Sequence, residues 1–307
     1  MFLFIQANYK TPGTYLMKHV LLILFFILSL NEATGKQTKV LTEIDSFGVN
    51  PGNLKMYVYG NIPNSTNKIP VVVVLHGCGG NAKAISELTG LNKLAAIHEF
   101  LVIYPQQKLM NNPIDTSRIF ITGVSAGAAM SVVMAATHPE LFKCGAFFAG
   151  GAYKIASDAV NGLKGMRGTK YFQQKKLVKD VGDQNPNYKG EYPNMIIYQG
   201  LNDGVVNKKN ALFLVNQWTG VNNTNTIADV VEPAFMHIDD ITRTEYRDTL
   251  GRTPVILYEV KKLGHKLLIK PGDKENEGGK KGIFGVDKGF HSTYQTAKEF
   301  GILKKNQ

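Results

Sequence analysis

Five residues, Gly123-Val124-Ser125-Ala126-Gly127, constrain this chain more than any other stretch of its 307 residues. They follow "RIFIT" (118–122), a short apolar run of strand character, and lead into "AGAAMSVVMAATHPELF" (126–142), which reads as a helix. A strand that becomes a helix across one serine must bend sharply there. Flanking glycines allow the two elements to approach closely, and the serine is forced into a strained backbone conformation. The first helical N–H groups, including that of Ala126, then point toward a carbonyl oxygen under attack. Taken alone, the pattern also suits a tight turn with no chemistry, because small residues gather in many turns.

The rest of the chain supplies a frame for that turn. Short apolar runs bounded by Gly, Pro or Asn predict strands at "LKMYVYG" (54–60), "VVVVL" (71–75), "FLVIY" (100–104), "GAFFAG" (145–150), "MIIYQ" (195–199) and "VILYEV" (255–260). The run at 71–75 is apolar at every residue, as in a central parallel strand covered on both faces. Helical stretches fall between them at 84–99, 126–142 and 208–219. This alternation predicts an α/β domain with a mostly parallel sheet and helices on both faces. Residues 221–253 are polar and irregular, which suits loops or a hairpin on the sheet edge. No repeat or linker interrupts residues 36–307, which therefore read as one domain.

A serine nucleophile needs a base, and the base needs an orienting carboxylate. In an α/β sheet of this kind they come in the chain order serine, acid, histidine, on loops after successive strands. Asp203 follows the strand at 195–199, and His265 follows the strand at 255–260. His237 with Asp239 and Asp240, and His291 with no predicted strand ahead of it, are rivals. A second signal lies in His76-Gly77-Cys78-Gly79-Gly80, after the central strand. A glycine-rich loop there can offer a backbone N–H to an oxyanion, and the N–H of Cys78 is the candidate. Gly77 and Gly79 support that loop, and His76 anchors it by hydrogen bonds.

Composition bounds the partners. Lys18-His19, an eleven-residue apolar run (20–30) and Ala33-Thr34-Gly35 form the pattern of a secretory signal over residues 1–35, with Met17 an alternative start. Eleven residues rise about 16 Å as a helix, short of a hydrocarbon core of ~30 Å, so no stable membrane span is expected. The net charge of +11 falls only to about +10 without this leader. Its densest basic stretch, "KPGDKENEGGKKG" (270–282), mixes both signs, which fits a solvated loop rather than a nucleic-acid patch. Two cysteines, Cys78 and Cys144, are too few for a metal cluster, and no cofactor is expected. They should lie at opposite ends of the sheet, too far apart to pair, as two free thiols.

Together, "FGVNPGNLKMYVY" (47–59), "VVVVLHGCGGNA" (71–82), "LVIYPQQ" (101–107), "IDTSRIFITGVSAGAAM" (114–130), "GLNDGVVN" (200–207), "LGH" (263–265) and "DKGFHSTYQTAKEFG" (287–301) resemble the poly(3-hydroxybutyrate) depolymerase family of α/β-hydrolases, secreted esterases related to the feruloyl and acetylxylan esterases. The resemblance implies an α/β-hydrolase fold and a cofactor-free serine esterase acting on a polyester or small ester. It implies Ser125 as nucleophile, Asp203 as acid, His265 as base, and Cys78 with Ala126 as oxyanion donors.

One departure stands out. Only residues 108–117 separate two strands between which relatives carry a longer segment with a helix. Parallel strands normally need a crossover of a dozen or more residues. The expected consequence is a sheet face left without its helix, with strand side chains turned to water. Three readings follow: a depolymerase acting on polyester or oligomers, an esterase of acylated plant polysaccharides, and a non-catalytic relative.

Overall fold

The structure, a computed structural model, describes residues 37–44, 55–61, 68–77, 80–105, 114–156 and 158–304. Residues 1–35, where a leader was expected, lie outside them, as do Cys78 and Gly79. Its frame is a ten-stranded sheet: β1 (Gln37–Glu43), β2 (Met56–Asn61), β3 (Ile69–Leu75), β4 (Leu101–Pro105), β5 (Ile114–Val124), β6 (Cys144–Phe148), β7 (Asn194–Gly200), β8 (Val230–Glu232), β9 (Ile241–Tyr246) and β10 (Val255–Val260). Their spatial order is β1-β2-β4-β3-β5-β6-β7-β10-β9-β8. The six strands from β4 to β10 in that order run parallel, and antiparallel strands close both edges. This is the α/β architecture expected, and a parallel core sends the carboxyl ends of its strands to one edge of the sheet.

Helices cover both faces. On one lie α1 (Ala82–Thr89), α2 (Leu91–His98) and α7 (Ser292–Glu299); on the other lie α3 (Ala126–Thr137), α5 (Gln174–Gly182) and α6 (Lys209–Val221). A short helix α4 (Ala159–Met166) follows β6. The single helix expected over 84–99 is broken in two at Gly90, which sits at φ 72° between α1 and α2. Val71 and Val72 of β3 are both buried, one against each helical layer, as its unbroken apolar run requires. Cys144 is a free, buried thiol whose pKa burial pushes well up.

The layer holding α7 packs on an aromatic ladder. Phe148, Tyr198 and Tyr258 are in register on β6, β7 and β10, with ring centroids 4.4 Å and 4.6 Å apart. Tyr198 Oη donates to Ser292 O (3.2 Å) and Tyr258 Oη to Glu299 Oε1 (2.8 Å), so the ladder ends in hydrogen bonds to α7. Glu299 in turn meets Arg243 of β9 at 3.3 Å. That ion pair explains why a polar segment, "ITRTEY", joins the sheet: its charges are paired, and its backbone completes the ladder beside β10.

Two expectations about the short crossover need correction. Strand β5 begins at Ile114, so the connection from β4 is residues 106–113, outside the described residues. Its ends, Pro105 and Ile114, lie about six residues apart along the sheet and two strands across, roughly 22 Å. The nine Cα-to-Cα steps from Pro105 to Ile114 reach at most ~30–32 Å, so the span is feasible. Nor are the strand side chains on that face exposed. Met56, Val58, Val71, Leu101 and Ile103 are only 2–6% exposed. Ile44, whose N–H donates to Met56 O (3.1 Å), packs against this cluster and supplies part of their cover.

The mixed-charge loop after residue 270 is tethered. Lys93 Nζ on α2 donates to the carbonyls of Gly272, Lys274 and Glu277, and Lys270 pairs with Glu277, Lys280 with Glu87, and Lys281 with Asp287. No described helix is long and apolar enough to cross a membrane.

Candidate active site

Ser125 occupies the turn between β5 and α3 with φ 58° and ψ −121°. A non-glycine residue there costs on the order of 1–3 kcal/mol, so the surrounding structure must impose it. It does so through both ends of the turn: Ser125 N–H donates to Phe148 O (2.8 Å), and Ser125 O accepts from Ala129 N–H (3.0 Å). The flanking glycines are dictated by space. A Cβ on Gly123 would stand 2.5 Å from Gly127 C, and one on Gly127 would stand 2.3 Å from Leu75 O. The helix therefore crosses directly over β3 and β5, and Ala126 is its first residue. An N–H at that position has no acceptor within the helix.

Asp203 and His265 come together at the same edge. Asp203 follows β7 and His265 follows β10, strands that are adjacent and parallel. His265 Nδ1 lies 2.7 Å from Asp203 Oδ2. The acid's side chain is fully buried and that of the histidine 13% exposed. The other carboxylate oxygen, Oδ1, accepts from the N–H groups of Val205 and Val206, both at 2.8 Å. Donors on both oxygens fix this carboxylate, and it holds the imidazole as the tautomer carrying its proton on Nδ1.

Further residues hold this pair. Gly200 ends β7 against the histidine loop, where a Cβ would stand 2.4 Å from Leu263 O. Asn202 N–H donates to Leu263 O (3.0 Å), tying the acid loop to the histidine loop. Gln199, 1% exposed, spans the acid loop from below: its Nε2 donates to Gly200 O (2.9 Å) and Val206 O (3.1 Å). Sequence reasoning missed Gln199. Its signal was a lone amide ending an otherwise apolar buried strand.

On the remaining side stands the glycine loop after β3. His76 Nδ1 contacts Gly77 O (3.0 Å), and Gly80 N–H donates to Gly77 O (3.1 Å). A Cβ on Gly77 would stand 3.7 Å from Ser125 Cβ, so this loop borders the serine. Ser125 Oγ forms no hydrogen bond with a described residue. In ligand-free hydrolases that contact is often loose and tightens only with substrate. The rivals go elsewhere. His237 is exposed, and Asp240 pairs with Lys288 at 2.6 Å. His291 does follow a short strand, β12 (Gly285–Asp287), which pairs with β11 (Leu267–Ile269), but it is buried with Nε2 on Thr89 O (3.0 Å). Among the described residues no group of three or more His, Cys, Asp or Glu could hold a metal ion.

Comparison with known proteins gives the family of the chain. Residues 70–243 match the prolyl oligopeptidase family, and that match holds the serine and the acid but ends before His265. Over 340 aligned positions the chain is 30% identical to poly(3-hydroxyalkanoate) depolymerase C of Paucimonas lemoignei, covering 97% of this chain and 78% of that protein. It belongs to the poly(3-hydroxybutyrate) depolymerase family of α/β-hydrolases. This is a family of carboxylic ester hydrolases. Acetylxylan esterase of Coprinopsis cinerea is 31% identical over 63% of this chain and 62% of its own length. The solved acetyl xylan esterase from Aspergillus awamori shares the fold, with a TM-score of 0.67 at 21% identity over 86% of this chain and 99% of that one. The 340 positions aligned with the depolymerase exceed the 307 residues of this chain, so that relative carries at least 33 residues with no counterpart here.

Proposed function

We propose that this protein is a secreted serine esterase that hydrolyses poly(3-hydroxybutyrate) or short hydroxyalkanoate oligomers. The observation that carries it is the Asp203–His265 pair, 2.7 Å apart with the acid buried, at the sheet edge where Ser125 sits in its strained turn. His265 Nε2, the nitrogen left free by Asp203, removes the Ser125 proton as Oγ attacks the ester carbonyl. The N–H groups of Ala126 and Cys78 hold the oxyanion. His265 then protonates the departing alcohol, and water repeats the sequence on the acyl-enzyme to release the acid. The leader-like residues 1–35 support secretion, and the depolymerase relative supports the polyester substrate.

The acetylxylan esterase likeness favours a second reading, in which the same machinery serves acylated polysaccharides. Competing hydroxybutyrate oligomers against acetylated xylan and feruloyl esters separates the two. The esterase reading predicts p-nitrophenyl butyrate hydrolysis that Ser125→Ala abolishes; undiminished activity in that variant would overturn it.

A further inference from the structure

Beside His265 the chain presents two large apolar side chains to water. Ile283 is 81% exposed and Phe284 54%. They occupy the tip of a tight loop closed by a hydrogen bond from Gly282 N–H to Gly285 O (3.1 Å). The tip is anchored rather than loose. Phe284 O accepts from Leu267 N–H (2.7 Å), and Leu267 is paired with Gly285 between β11 and β12. Gly285 is buried so tightly that a Cβ would stand 2.5 Å from Lys280 O. Leu267 is two residues from His265, and paired strands lie about 4.8 Å apart. The backbone of Phe284 is therefore within roughly 12 Å of the histidine backbone, and Ile283 is one residue farther along. Isolated apolar residues on a surface need no explanation, but two adjacent ones on a fixed tip next to a base do.

Reaction chemistry says what passes there. His265 Nε2 must reach the leaving oxygen to protonate it, so the alcohol portion of the ester departs over the histidine loop. We infer that Ile283 and Phe284 form the contact for the alcohol portion of the substrate, selecting esters whose alcohol side carries an extended apolar or polyester chain. This rests on the esterase reading proposed above. The acyl portion, bonded to the carbonyl that Ser125 attacks, has no reason to touch the tip. Lys280 and Lys281 flank it but are paired with Glu87 and Asp287, so the contact the tip itself offers is apolar.

The test is a set of butyrate esters that differ only in the alcohol. The kcat/KM of octyl butyrate relative to methyl butyrate is measured for the parent chain, for Ile283→Ser/Phe284→Ser, and for Ile283→Val/Phe284→Leu. The polar pair should lower that ratio about tenfold or more, the order expected for losing apolar contact. The apolar pair should keep most of it. Methyl octanoate against methyl butyrate, a change on the acyl side, should show no comparable shift in ratio. An unchanged octyl-to-methyl ratio in the polar pair, or an equal fall in both pairs, would overturn the assignment. Hydrolysis of none of these esters by the parent chain would instead overturn the esterase reading, and this inference with it.

Discussion

His265 Nδ1 stands 2.7 Å from Asp203 Oδ2, while the opposite oxygen of that carboxylate is held by two backbone N–H groups. The acid thus has one geometry open to it, and the imidazole inherits it. Asp203→Asn keeps the shape but replaces an acceptor with an amide that can donate, which favours the wrong histidine tautomer. The expected result is a fall in kcat of about 10⁴-fold with little change in Tm. Steady-state kinetics on p-nitrophenyl butyrate with a thermal melt checks both.

Gln199 should act on the same pair from beneath. Replacing it with Leu removes the donor from Gly200 O and Val206 O in a buried setting, at a cost of about 1–3 kcal/mol. Because Val206 N–H also holds Asp203, the variant should lose kcat as well as stability. Denaturant midpoints and kcat measured on one preparation check this; a stability loss with kcat intact would make Gln199 purely structural.

The turn around Ser125 leaves no room for a methyl group. Gly127→Ala would place Cβ 2.3 Å from Leu75 O, a clash with backbone that no rotamer relieves. We expect loss of soluble protein, or destabilisation beyond the ~0.5–3 kcal/mol usual for single substitutions. Expression yield and the urea midpoint report it. Ala129→Gly, two residues along the same helix, should cost only about 1 kcal/mol.

Stability should fall in acid through two buried histidines. Burial lowers the pKa of His98 against the pull of nearby Glu275, and burial likewise lowers that of His291, with Lys93 and Lys270 pushing the same way. His98 Nδ1 accepts from Lys304 N–H (2.7 Å), and its Nε2 lies 3.2 Å from Glu275 Oε1 without the alignment of a hydrogen bond. Both are neutral in the fold, so the unfolded chain binds protons first as pH drops. Their contribution is whole above about pH 6.5 and is lost as pH falls through the depressed folded values. Tm should be level from pH 7 to 8 and decline below 6.5, and His291→Gln should flatten that decline.

The candidate site residues were legible as candidates because each follows a strand that betrays itself by apolar composition: 118–122 before Ser125, 195–199 before Asp203, 255–260 before His265. What escaped lies where packing is polar. Helix α7, "STYQTAKE", buries Ser292, Thr293, Gln295 and Thr296 against tyrosine hydroxyls and backbone, so it carries no apolar stripe to find. Strand β1, "QTKVLTE", is an edge strand with a water-facing side, and β9 hides behind its paired charges. The sheet face beneath the short crossover was expected to be wet and is dry, because the pattern of strands says which side chains point inward but not which segment covers them.

We propose that Ser125, His265 and Asp203 work as one assembled site. Its most direct measurement is the intact mass and peptide map of the folded protein after treatment with a fluorophosphonate, an ester mimic that only an activated serine attacks. We predict one adduct, on the peptide bearing Ser125, absent in Ser125→Ala and formed far more slowly in His265→Ala. No adduct on the folded parent chain, or an adduct on another residue, would contradict it.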